Sequence, residues 1–135
     1  MNWISASIIS LLSFGLWGFY TKLTVSYIDS RSALVYQTLG VMIIGLVTLG
    51  LVGFKPATEV KGINYAICTG LFYGIGCLFY FIAASKGKIT TVVTMTALYP
   101  VITIILSYLI LKETISVKQF FGIALALVSI YLMST

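Results

Sequence analysis

Long hydrophobic runs alternate with four short charged clusters along this chain. All eleven charged residues lie in the clusters: Lys22, Asp29 and Arg31; Lys55, Glu59 and Lys61; Lys86 and Lys88; Lys112, Glu113 and Lys118. The uncharged runs cover residues 1–21, 32–54, 62–85, 89–111 and 119–135. A bilayer core of about 30 Å needs roughly 20 apolar residues of helix. The three central runs exceed that length, the first meets it, and the last falls slightly short. A closed barrel is the other way to span a bilayer. Its strands alternate apolar and polar positions, whereas these runs are apolar on every side. The pattern predicts an all-α polytopic membrane protein with helices over about 3–22, 32–54, 63–85, 89–111 and 117–133. Residues 1–135 then form a single transmembrane domain.

Composition supports this reading. Hydrophobic residues make up 60% of the chain and charged residues 8%, with a mean hydropathy of +1.11. A soluble domain carries about a quarter charged residues, so no room is left for one. The first run does not read as a signal peptide, because no lysine or arginine precedes it and it is too long for an h-region. Every connection is short, which makes consecutive helices antiparallel neighbours. Pro56 and Gly62 mark the second connection as a turn, and Ser116 with Gln119 forms a capping box opening the last helix. The net charge of +5 is spread over four loops, as expected of snorkelling anchors, and no nucleic-acid partner is expected. Cys68 and Cys77 lie about 13 Å apart along one helix and cannot bridge. With histidine absent, no metal site and no cofactor are expected.

Orientation normally follows lysine and arginine in the loops. One side of the membrane receives Lys55, Lys61, Lys112 and Lys118; the other receives Lys22, Arg31, Lys86 and Lys88. The balance is even. It arises by chance in small counts, or it marks a chain that inserts both ways and pairs with its own inverted copy. Many transporters are built from two inverted repeats around a midplane site, and an odd number of spans suits that arrangement.

From residue 83 onward the sequence reads AASKGKITTVVTMTALYPVITIILSYLILKETISVKQFFGIALALVSIYLMST. Ala83-Ala84, Pro100 after an aromatic residue, Glu113, Ser116, Gln119 and Gly122 occur in an order that resembles the closing half of an EamA-type repeat. Such repeats belong to the drug/metabolite transporter superfamily. The opening LLSFGLWGFYTKL at 11–23, with Trp17-Gly18, is similar to the first helix of that family. Family members commonly hold two repeats of opposite orientation, and this chain holds one. The resemblance therefore implies an antiparallel homodimer or a second half-transporter chain as partner. It also implies movement of small organic solutes across a plasma membrane, here a prokaryotic inner membrane, without naming a substrate.

Polar residues inside a membrane usually face the bundle interior. Ser10, Ser13, Trp17 and Tyr20 recur at helical spacing on one stripe. Thr69, Tyr73, Cys77 and Tyr80 form a second stripe, and Thr96, Tyr99, Thr103 and Ser107 a third around Pro100. Gln37 is the one amide deep enough to need a partner. These stripes would line a cavity whose aromatic walls supply contact area and whose hydroxyls orient a solute. The competing reading is structural: membrane serines and threonines bond back to the preceding turn or join helices, and Tyr20 and Tyr80 suit an interfacial belt. Pro100 removes a helical hydrogen bond and is expected to act as a kink or hinge. Gly70 with Gly74, and Gly122 with Ala126, are small-residue steps for close helix packing or for contact with a second copy.

No Asp, Glu, Lys, Arg or His falls within a predicted helix interior. Proton-coupled carriers need such a group, and multidrug-type exchangers of the superfamily keep a glutamate in their first helix. Its absence here favours a facilitator or exchanger of uncharged, zwitterionic or amphipathic metabolites working by alternating access. Glu113 reads as a surface carboxylate beside Lys112 and Lys118, and Lys86 and Lys88 as anchors at the mouth of a helix. A scaffold subunit of a partner chain and a lipid-headgroup flippase are the rival readings. No nucleophile–base pair or buried acid supports an enzyme.

Overall fold

The computed structural model describes residues 2–134, and among them every regular element is helical. The elements are α1 (Trp3–Val25), α2 (Ser30–Leu51), α3 (Val60–Lys86), α4 (Ile89–Thr96), α5 (Tyr99–Ile110) and α6 (Val117–Ser134). Together they make an all-α polytopic membrane protein of five spans, the fourth built from α4 and α5. Four stretches are long and apolar enough to cross a bilayer: α1, α2, α3 and Ile89–Ile110. The fifth, Val117–Leu132, is shorter.

Local signals set most helix ends. Asp29 caps α2, its carboxylate accepting from the amides of Arg31 at 2.9 Å and Ser32 at 3.2 Å and from the Ser32 hydroxyl. The Ser32 hydroxyl, then the Ser32 and Arg31 amides, hold the Asp29 carboxyl below the ordinary range. With the carboxylate in that role, α2 begins before Ser32. Its end also comes early, at Leu51, because Gly53 turns left-handed at φ +62°. The Gly53 amide donates to the Gly50 carbonyl and the Phe54 amide to the Leu49 carbonyl, each at 3.0 Å. This is a Schellman stop. At α6 the capping box forms as expected: the Gln119 amide donates to Ser116 Oγ, and the Ser116 amide donates to Gln119 Oε1 at 2.8 Å.

The fourth span departs most from the sequence expectation. One kinked helix over 89–111 becomes two helices with Ala97 and Leu98 between them. Pro100 stands in the first turn of α5, has no N–H to give, and crowds the turn before it. The backbone tightens there: the Leu98 amide donates to the Met95 carbonyl and the Val101 amide to the Leu98 carbonyl, each three residues back. Proline at the start of a helix is the tolerated position, so the chain is broken just ahead of it.

The chain divides into two compact units, one ending at Lys86 and one starting at Gly87. In the first, α3 packs against both α1 and α2. In the second, α4 packs against α6. Apolar side chains remain widely exposed; Ile43 and Ile44 on α2 are 58% and 67% exposed. Each such side chain would cost about 1.5–3 kcal/mol if left in water. Lipid removes that cost.

Candidate functional site

The first unit carries a cavity of about 210 Å³ between α1 and α2, closed on one side by Phe81 of α3. Trp17, Tyr20, Thr21 and Thr24 line it from α1, and Ala33, Tyr36 and Gln37 from α2. Residues 17, 20, 21 and 24 share one helical face, as do 33, 36 and 37. Trp17 lies about 12 Å in from the end of α1, and Gln37 about 10 Å in from the start of α2. They therefore meet at one level. The Trp17 indole Nε1–H donates to Gln37 Oε1 at 2.7 Å. The Tyr80 ring of α3 packs on the indole, with centroids 4.6 Å apart and planes inclined by 40°. One aromatic side chain thus ties three helices together.

Helix ends nearby are also engaged. Lys22 Nζ donates to the Ala84 carbonyl at 2.7 Å. Ala84 belongs to the last turn of α3, where carbonyls lack helical partners and a cation is favoured. Lys22 is part of α1, so this lysine does more than anchor a loop.

The expected site residues divide into three groups. Trp17, Tyr20 and Gln37 come together at the cavity, with Tyr80 against Trp17. Ser10, Ser13 and Tyr73 do not line it; Ser13 Oγ donates to the Ile9 carbonyl at 2.8 Å. Tyr99 and Thr103 stand on α5 in the second unit, where Thr103 Oγ1 donates to the Tyr99 carbonyl. Thr69 and Thr96 likewise bond back, to the carbonyls of Tyr65 and Val92. At Gly70, Gly74 and Gly122 an added Cβ would meet nothing within 4 Å, so those faces lie open; Ala126 is on α6 with Gly122. The second unit has an open apolar cleft lined by Tyr108, Ile115, Val117 and Phe120.

Five lining residues escaped the sequence reading: Thr21, Thr24, Ala33, Tyr36 and Phe81. The first four were recoverable. Thr21 and Thr24 continue the Trp17–Tyr20 face by one turn, and Ala33, Tyr36 and Gln37 share helical spacing.

Long apolar helices, with an aromatic-walled cavity between α1 and α2 inside the first unit, define a polytopic helical membrane protein. The EamA-like transporter family matches the chain across residues 1–135, and the chain belongs to that family. An uncharacterized protein of Methanocaldococcus jannaschii is 35% identical over 104 residues, covering 74% of this chain and 76% of that protein. An uncharacterized transporter of Synechocystis is 41% identical over 70 residues, 52% of this chain but 21% of that protein. A WAT1-related chloroplastic protein of Arabidopsis thaliana is 42% identical over 62 residues, 46% of this chain and 14% of that protein. These shares make the archaeal relative about as long as this chain and the other two more than twice as long. No solved structure gives a significant match.

Proposed function

We propose that this membrane transporter is a facilitator or exchanger for small uncharged or zwitterionic amphipathic solutes. Two copies would assemble antiparallel in the plasma membrane and work by alternating access. The observation that carries the reading is the cavity lining: aromatic rings, two threonines, an alanine and an amide, with no carboxylate, amine or imidazole. A proton-coupled carrier needs a group there that binds and releases the proton. A single five-span unit of a family that also occurs at more than twice this length supports pairing with a second copy. The even lysine and arginine count supports insertion in both orientations.

The test is flux of labelled phenylalanine, an aromatic zwitterion, into liposomes holding the purified chain. Flux above protein-free vesicles, unchanged when a pH gradient is imposed or collapsed, is the expected result. Flux that follows the pH gradient would overturn the facilitator reading.

In this scheme the break at Ala97 and Leu98 is the hinge. Pro100→Ala restores an amide able to donate to the Thr96 carbonyl and so favours one continuous helix. Expected are phenylalanine flux lower by about tenfold and a thermal midpoint little changed, because proline is tolerated in the first turn of a helix. Unchanged flux in this variant would remove Pro100 from the transport cycle.

A further inference from the structure

The polarity of the cavity is set by which hydrogen-bonding groups are already engaged. Thr21 Oγ1 donates to the Trp17 carbonyl and Thr24 Oγ1 to the Tyr20 carbonyl, each at 2.9 Å. Their protons are directed into the helix, and only oxygen lone pairs are left for a solute. Indole is a donor without an acceptor, so the Trp17 contact at 2.7 Å fixes which face of the Gln37 amide turns toward it. The carbonyl oxygen faces the indole. Nε2, with its two N–H groups, has no partner among the described residues and remains accessible. Tyr20 and Tyr36 also bring hydroxyls, but their rings are 61% and 65% exposed and no hydrogen bond fixes them. Among the described residues, Gln37 therefore holds the one fixed and unengaged donor group on the cavity wall.

We propose that Gln37 is a specificity-determining residue whose Nε2 donates to a carbonyl or carboxylate oxygen of the solute, selecting oxygen-acceptor compounds over cations. The proposal rests on the transport reading for its biological use. The cavity is open at Tyr20 and Tyr36, and its volume of about 210 Å³ has room for one aromatic ring beside the amide. The ring of such a solute lies against Trp17 and Phe81, and its oxygen is placed at Gln37. Trp17 acts here as a positioning residue, since it fixes the amide without itself reading the oxygen.

Binding can be read without flux. The chain has two tryptophans, Trp3 and Trp17, so a Trp3→Phe background leaves Trp17 as sole reporter. In nanodiscs its emission is titrated with N,N-dimethylbenzamide, a neutral ring with an acceptor, and with benzyltrimethylammonium, a ring with a cation. Gln37→Met should weaken the amide about tenfold, the factor one hydrogen bond is worth. Gln37→Glu keeps an acceptor for the indole but removes the amide donor. At high pH it should bind the cation about tenfold more tightly and the amide more weakly. Acidification should restore amide binding, because a protonated carboxyl donates again. The protein with Gln37 intact should show no such pH dependence. Affinities within twofold across all three proteins and across pH would overturn the assignment. The altered binding without any phenylalanine flux would instead overturn the transport reading and leave the Gln37 assignment standing.

Discussion

Trp17→Ala is expected to lower stability by about 2–4 kcal/mol and to reduce phenylalanine flux at least a hundredfold. Three losses act together. The ring pair with Tyr80 contributes about 0.5–1.5 kcal/mol beyond its area. The bond to Gln37 contributes about 0.6–1.7 kcal/mol, the range for polar contacts between membrane helices. The remainder is packing lost where α1, α2 and α3 meet, reduced from the value for a fully buried tryptophan because Trp17 is half-buried. The flux effect combines two losses: the ring against which the solute would lie, and the indole that holds the Gln37 amide in one orientation. Trp17→Phe separates the terms. It keeps a ring against Tyr80 and loses the N–H, so stability should fall by about 1 kcal/mol and flux by roughly fivefold. Thermal midpoints in detergent and flux in liposomes check both variants. An alanine variant that inserts and transports normally would place the solute path elsewhere.

Much of the fold was legible because a membrane imposes long apolar runs, and eleven charges mark the limits of those runs. Helix ends were less legible. Asp29 caps α2 in place of the neighbouring serines, and Gly53 stops the helix before its apolar run is over. Neither choice shows in hydropathy, since both depend on local hydrogen bonds. The division of the fourth span followed from Pro100, but its place did not, because proline disturbs the preceding turn instead of its own position.

The candidate cavity draws its expected lining residues from α1 and α2. Trp17, Tyr20 and Gln37 were recognisable because tryptophan and glutamine carry polar groups that need partners inside a bilayer. The other hydroxyl stripes do not converge on that cavity. Ser13, Thr69, Thr96 and Thr103 each donate to a carbonyl of the preceding turn, so a polar residue on a stripe need not be available to a solute. Thr21 and Thr24 bond back in the same way yet line the cavity. What separates them from the others is the opposing helix, which spacing along one helix does not reveal. In the sequence Lys22 reads only as an interfacial charge. Its role on the Ala84 carbonyl requires α1 and α3 to lie side by side.

Charge rebalancing gives the second large expected effect. The duplex Lys86→Ser and Lys88→Ser leaves four basic residues on one side and two on the other, and Lys55→Ser with Lys61→Ser gives the opposite bias. All four lysines are exposed, so the folded chain should tolerate their loss. Lys88 stands at the cap position of α4 without a side-chain hydrogen bond there, and serine is a better cap. Lys22 is left intact because it holds the Ala84 carbonyl. If two opposite orientations must pair, each biased variant alone should lose flux at least tenfold, and co-expression of the two should restore it. Reporters fused to the C-terminus, one active only in the cytoplasm and one only outside it, should both give signal for the unaltered chain. Each variant should light only one, and the two variants should light different ones. Full flux from a variant whose reporters show one orientation would exclude the antiparallel pair, because a parallel assembly or a single chain would then suffice. Restoration by co-expression then supports the pair, since neither variant is altered at the cavity and the reporters show that the two differ in direction of insertion.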